Sequence, residues 1–268
     1  MSTTTETPHA LPVRARAFRP DWRMRAVWLG FVLYVIYAAG QLNFTWERFV
    51  VGLDRGGAFL GRMFPPEFTR WELLVEGLLE SLQIAVIASA AGILVSLPIG
   101  LMAARNLMPV AVTVPARAVI ALARSFHPII VAIIFVKAIG FGPLAGILAL
   151  ILASIGFVAK LFAEAIEEIS LKQVEAVRAT GASFMGVVIM GVLPQVLARF
   201  IGFSTYQLDS NLRNSTMVGI VGGGGIGGTL FSAFQRFDYD FVAAILISII
   251  VMIMAGELIA TWLRKTFQ

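Results

Sequence analysis

The sequence predicts an all-α integral membrane protein of about six transmembrane helices, and three observations carry that prediction. Apolar residues fill 58% of the 268 positions and charged residues 14%, against roughly 45–50% and 25% in ordinary soluble domains. The chain holds several apolar stretches close to or above the ~20 residues that cross a bilayer as a helix. Short polar links separate them, so one membrane domain takes residues 26–268 and leaves a polar tail at residues 1–25.

The tail carries Arg14, Arg16, Arg19, Arg23 and Arg25, and Ala26 to Gln41 follows as the first apolar run. Small residues at Ala38, Ala39 and Gly40 also suit the end of a signal peptide. The long preceding segment, and Trp22, Trp28 and Trp46 at two interfacial levels, favour a retained helix. In the next link Pro65 and Pro66 precede Glu67 to Glu80, where Leu73, Leu74, Leu78 and Leu79 recur at helical spacing. That pattern predicts a short interfacial helix leading into the second span. The remaining spans are expected from Leu78 to Ala104, Val119 to Ile139, Pro143 to Phe162, Phe184 to Tyr206 and Phe241 to Trp262.

Basic residues set the expected orientation. The arginine-rich tail belongs on the cytoplasmic side, and six crossings return Arg264 and Lys265 to that side. Arg105 and Arg117 in the second link, and Lys172 and Arg178 in the fourth, agree with this scheme. Arg48, Arg55, Arg62 and Arg70 in the first link run against it, and nearby Glu47, Asp54, Glu67 and Glu72 offset them little. The expectation is a multi-pass protein of the cytoplasmic membrane with both termini inside. Lys137 and Lys160 fall near span ends, where their ammonium groups reach the interface.

Several chemistries find no support. The net charge of +5 is spread beside apolar spans and forms no nucleic-acid-binding stripe. Without cysteine there is no disulfide or thiolate site. The two histidines, His9 and His127, cannot build a histidine metal site. Signatures such as HExxH and GxSxG are absent, which counts against an intramembrane enzyme. Gly223, Gly225 and Gly228 spell a nominal GxGxxG, but without the strand–turn–helix context that gives the pattern meaning. No GxxxxGK[ST] phosphate loop occurs, so energy from ATP has to come through a partner.

Three segments stand out. The fourth link, Glu164 to Gly181, is rich in Ala, Glu, Lys, Gln and Arg, and Gly181 suits a helix end. It predicts a short surface helix, either a solvated connector or a docking element with Glu164, Glu168, Glu175, Ala176, Arg178 and Gly181 as candidates. In the second segment Asp209, Asn211, Arg213, Asn214, Ser215 and Thr216 precede seven glycines between positions 219 and 228. At about 1 kcal/mol each, these glycines cost a continuous helix on the order of 7 kcal/mol. The helix is therefore expected to break, with Gly222, Gly223, Gly224 and Gly225 at the break and the polar residues walling a path. An external turn or small-residue helix packing is the plainer alternative. The third segment holds Arg124, Ser125, His127 and Pro128, where the proline should kink the third span and the polar side chains face water or substrate.

Glu175-Ala176, Gly181 six positions after the Glu, and Leu193-Pro194 further on resemble the EAA loop of ABC importer permeases, the element that couples to the ATPase. Val177 replaces the usual second alanine, and Gly191 a common isoleucine. Ile134 to Pro143, Lys160 to Ile169, Val192 to Val196 and Val218 to Gly222 extend the resemblance to the phosphonate importer permeases, over residues 80–265. The resemblance implies a type I importer architecture and a homodimer that docks two cytoplasmic ATPases, which hydrolyse ATP with Mg. It implies no cofactor on this chain, an external substrate-binding protein, a hinge at Pro194, and phosphonate or a related phosphorus oxyanion as substrate. Methionine or another small solute of the same superfamily is the alternative cargo, and a purely structural membrane subunit would not need the charged link or the broken helix.

Overall fold

The structure is a computed structural model that describes residues 22–42 and 45–267. Arg14, Arg16, Arg19 and His9, and the side chain of Arg264, lie outside the described residues. Counting each π-helical turn with the helix it interrupts, the described residues form ten helices and no strand. They divide at Leu60 into two compact units.

The first unit holds α1 (Trp22–Gln41) and α2 (Trp46–Gly61). The helix α2 was not anticipated from the sequence. Trp46, Phe49, Val50, Leu53 and Leu60 share one face, while Glu47, Arg48, Asp54 and Arg55 share the other, the pattern of a helix lying along an interface.

The second unit is built on α3 (Trp71–Ala103). The short interfacial helix expected over Glu67 to Glu80 does not form separately. Residues 67–70 are non-helical, and Trp71 to Glu80 is the first part of one 33-residue helix. The reason is continuity of the buried stripe, since Leu74, Gly77, Ser81, Ile84, Ala85 and Ala88 follow at helical spacing with no breaker between them.

The expected third span is two helices. α4 (Val110–Ser125) and α5 (Pro128–Ile139) meet at 91°, far beyond a kink. Phe126 and His127 are extended, and Pro128 opens α5 in the first turn, where its missing N–H costs nothing. Arg117, expected in the second link, is on α4.

Next come α6 (Pro143–Glu167), α7 (Leu171–Ala179), α8 (Phe184–Ile220), α9 (Ile226–Gln235) and α10 (Tyr239–Phe267). The fifth span thus runs 14 residues past its expected end at Tyr206. It carries a π-helical turn at Val188–Val192, just before Pro194. A wide turn there makes room for the proline ring, which otherwise meets the carbonyl four residues back. A second π turn, Ile155–Ala159, interrupts α6.

Within this unit α3 packs against α6 and α8, α5 packs on α6, and α10 closes against α8 and α9. Ile84, Ala88, Val131, Ala132, Ala149, Leu150 and Val218 form the buried centre where α3, α5, α6 and α8 meet. Five helices, α1, α3, α6, α8 and α10, are long and apolar enough to cross a membrane, and the bent α4–α5 pair makes a sixth if it is one span.

Candidate functional site

The link at 164–181 is two elements rather than one helix. Glu164 belongs to the last turns of α6 and Glu168 follows its end, while α7 begins afresh at Leu171. A buried cluster of Phe162, Ala165, Ile166, Val174, Val187 and Val192 seats the link, and Val174, 1% exposed, is its only buried residue on α7. Polar ties hold the two sides. Ser170 N–H donates to Gln195 Oε1 at 3.0 Å, and Gln195 Nε2 donates to the Gly191 carbonyl at 2.6 Å. Arg199 pairs with Glu168. Lys172, Glu175, Ala176 and Arg178 are then exposed together, and no ion pair among the described residues uses those three charges. Gly181 ends the link at φ +80°, a conformation that favours glycine.

The predicted polar wall at 209–216 sorts into two faces of α8. Asn211 and Ser215 are 0% exposed and Thr216 7%. Asn211 Nδ2 lies 2.9 Å from both Ser89 Oγ and Ser154 Oγ, and Gln207 Nε2 donates to Asn211 Oδ1 at 2.9 Å. Ser215 Oγ donates to the Leu212 carbonyl at 2.8 Å. Asn211 and Gln207 thereby tie α8 to α3 and α6, and in this conformation Asn211, Ser215 and Thr216 face no open route. Asn214 is half-buried, with its amide 3.3 Å from Ser210 Oγ.

Arg213 points the other way. It pairs with Asp209 one turn back, and its side chain is 54% exposed whereas that of Asp209 is 12% exposed. Its depth follows from its neighbour. Asn211 bonds Ser154, the twelfth of the 25 residues in α6, so Arg213 lies near the middle of a span about 37 Å long at 1.5 Å per residue.

The glycine-rich break is shorter than expected and comes after all the polar residues. α8 stays helical to Ile220, and only residues 221–225 leave the helix, with Gly222, Gly224 and Gly225 at φ +95°, +81° and +80°. The protein satisfies the freed backbone. Gly142 N–H donates to the Gly222 carbonyl at 2.9 Å, Gly223 N–H to Val218 at 3.0 Å, and Ile226 N–H to Ser81 Oγ at 2.9 Å. On its open side Gly224 and Gly225 border a cavity of about 380 Å³ with Arg70, Glu80, Arg236 and Asp238. Arg70 pairs with Glu67 at 2.7 Å and Asp238 at 3.2 Å and lies 3.8 Å over the Phe241 ring. Hydrogen bonds from Thr69 and Arg70 hold the Glu67 carboxyl below the usual carboxylate range.

At the α4–α5 corner Arg124, Ser125 and His127 are all exposed. Ser125 Oγ donates to the Ala121 carbonyl at 2.8 Å, and His127 Nδ1 accepts from Ile129 N–H at 3.4 Å as the cap of α5. Lys160 sits inside α6, seven residues before its end at Glu167, and pairs with Glu164 at 3.2 Å. Among the described residues no His, Asp and Glu side chains gather into a metal-holding group.

Ser89 and Ser154 were not anticipated, because their spacing from Asn211 becomes meaningful only once three helices meet, and neither was Gln207. Nor was the pair of Arg117 with Glu167, 2.6 Å. Gln207, one turn before Asn211, was the one local signal.

Comparison with known proteins adds a family. Residues 96–268 match the model of the binding-protein-dependent transport system inner membrane component. The phosphite transport system permease protein PtxC of Stutzerimonas stutzeri is 38% identical over 91% of this chain and 88% of its own length. The phosphate-import permease protein PhnE of Mycolicibacterium smegmatis is 41% identical over 83% of this chain, which spans 41% of that protein. An inward-facing structure of the MetNI methionine ABC transporter covers 75% of this chain and 99% of its own, with TM-score 0.66 and 24% identity, a likeness of fold.

Proposed function

Since the chain belongs to the binding-protein-dependent permeases of ABC importers, related to the phosphate, phosphite and phosphonate permeases, we propose that it carries a phosphorus oxyanion across the membrane. One observation carries this reading. Arg213 stands at mid-depth on α8 with half its side chain uncovered by its own chain. An arginine facing lipid at that depth costs about 2.5–3.5 kcal/mol, so this face meets water or protein. A second copy of the chain on that side encloses a route, and Arg213 and Asn214 line it, with Arg124, Ser125 and His127 at the α4–α5 corner. The pair with Asp209 is nearly neutral, but it turns its cationic end outward, 54% exposed against 12%, and that end favours a desolvating anion over a zwitterion such as methionine.

The exposed charges of α7 then form the contact for the cytoplasmic ATPase, with Glu175 and Arg178 at the surface and Gly181 setting the exit angle. Glu164 and Glu168 act from the adjoining end of α6, and Pro194 and Gly222 to Gly225 mark where α8 hinges. An external binding protein delivers the substrate, and both termini of the chain are cytoplasmic.

The test is uptake in vesicles reconstituted with all subunits. Arg213→Gln alone strands Asp209, whose side chain is only 12% exposed, so it is compared with the double variant Arg213→Gln/Asp209→Asn, which removes the pair without leaving a charge. Loss of uptake in both, at equal ATPase assembly, is expected. Recovery in the double variant reduces Arg213 to a partner of Asp209 and overturns its place on the route.

A further inference from the structure

A cavity of about 320 Å³ lies between α4 and α6, floored by the end of α3 at Ala103 and walled by Ile120, Ala121 and Ala163. Three cationic side chains, Arg117, Arg124 and Lys160, and one acidic one, Glu164, reach it. Two of the cations are already matched. Arg117 donates to Glu167 at 2.6 Å and to the Ala103 carbonyl at 3.0 Å, and Lys160 pairs with Glu164 at 3.2 Å. The Arg124 side chain has no hydrogen bond or ion pair to any described residue. The stem of that side chain packs against Gly156, where an added Cβ would meet Arg124 Cγ at 2.8 Å. Gly156 lies within the π turn of α6, and Ala103, Lys160 and Glu164 place the cavity itself toward the end of α3 and the last turns of α6.

We infer that this cavity is a binding station for a phosphate-type oxyanion, with Arg124 as its principal ligand and Lys160 as its second. A guanidinium offers paired donors to two oxygens of such a group, and the small apolar walls strengthen the attraction by keeping the local dielectric low. Lys160 has to turn from Glu164 toward the anion, so occupancy frees a carboxylate on the helix that leads into the 164–181 link. The inference rests on the permease reading only for how a free anion arrives. The same chemistry is offered by the phosphate of an anionic lipid.

Equilibrium binding to the assembled transporter, in phosphatidylcholine nanodiscs without ATP or external protein, separates these. Methylphosphonate and inorganic phosphate serve as free probes, and short-chain phosphatidylglycerol as the lipid probe. Wild type is expected to bind saturably, Arg124→Gln at least tenfold more weakly, Lys160→Met several-fold more weakly, and Arg62→Gln, an exposed charge loss elsewhere, unchanged. Arg124-dependent binding of the free anions identifies the cargo as occupant, and Arg124-dependent binding of the lipid alone identifies a lipid phosphate. Binding of both probes that is indifferent to Arg124 overturns the site, as does dissociation of the paired permeases in Arg124→Gln seen by mass photometry, because Arg124 would then be matched by the second copy. Because no transport is read, normal uptake by the Arg213/Asp209 double variant refutes the route through Arg213 and leaves this site standing.

Discussion

Gly227 lies so close to the Thr216 carbonyl that a Cβ on it would stand 1.9 Å from that oxygen. Through this contact the first turn of α9 rests on the last turns of α8, across the break at residues 221–225. Gly227→Ala has only backbone to displace, so it is expected to cost about 3 kcal/mol or more. Gly228→Ala, whose nearest neighbour is the Gly219 carbonyl at 3.7 Å, is expected to be near neutral. Thermal unfolding midpoints by size-exclusion in detergent compare the two, and equal midpoints would contradict the packing described.

Asn211 is the hub of a network with Ser89, Ser154 and Gln207. Asn211→Leu leaves those polar groups buried with fewer partners and is expected to cost about 1–3 kcal/mol, read as a lower unfolding midpoint. Asn214→Leu, which breaks one 3.3 Å contact on a half-buried face, should cost less. The reverse order would place Asn211 on an open surface.

On α7, Glu175→Lys reverses an exposed charge without touching the buried Val174 that seats the link. Gly181→Pro forces φ from +80° to about −65°. Both variants are expected to insert and fold, yet to lose transport-stimulated ATP hydrolysis down to the basal rate. Stimulation equal to wild type in both would detach the link from the ATPase.

The chain contains no cysteine, so single cysteines report sidedness cleanly. Ser170→Cys should resist a membrane-impermeant thiol reagent in intact cells, and Ala58→Cys, exposed on α2, should react. Labelling of Ser170→Cys from outside would invert the proposed orientation and move α7 away from any cytoplasmic partner.

Local properties were legible in the sequence. The apolar runs announced the spans, because transfer from water to lipid depends on composition over about 20 residues and hardly on neighbours. Glu164 to Gly181 announced a surface helix through its propensities and Gly181 its end, but the separation into the end of α6 and a fresh α7 at Leu171 was not announced. Pro128 announced a disturbance, but the 91° between α4 and α5 goes with what each packs against, α3 and the π turn of α6 for α4 and the body of α6 for α5. Glu67 to Glu80 misled because its spacing is helical either way. Only the buried stripe through Ser81 and Ile84 decides that it is part of α3.

The sequence by itself determined that this chain is a bundle of membrane-crossing helices with a charged helical link, since hydrophobicity and propensity act residue by residue. The tertiary structure alone decided which polar residues face inward. Asn211 and Arg213 are two positions apart on one helix, about 200° around its axis at 3.6 residues per turn. Nothing in their identity says which is turned to Ser89 and Ser154 and which to the outside. The rotation of α8 is set by its contacts with α3, α6 and α10 together, and it leaves the asparagine fully buried and the arginine half exposed.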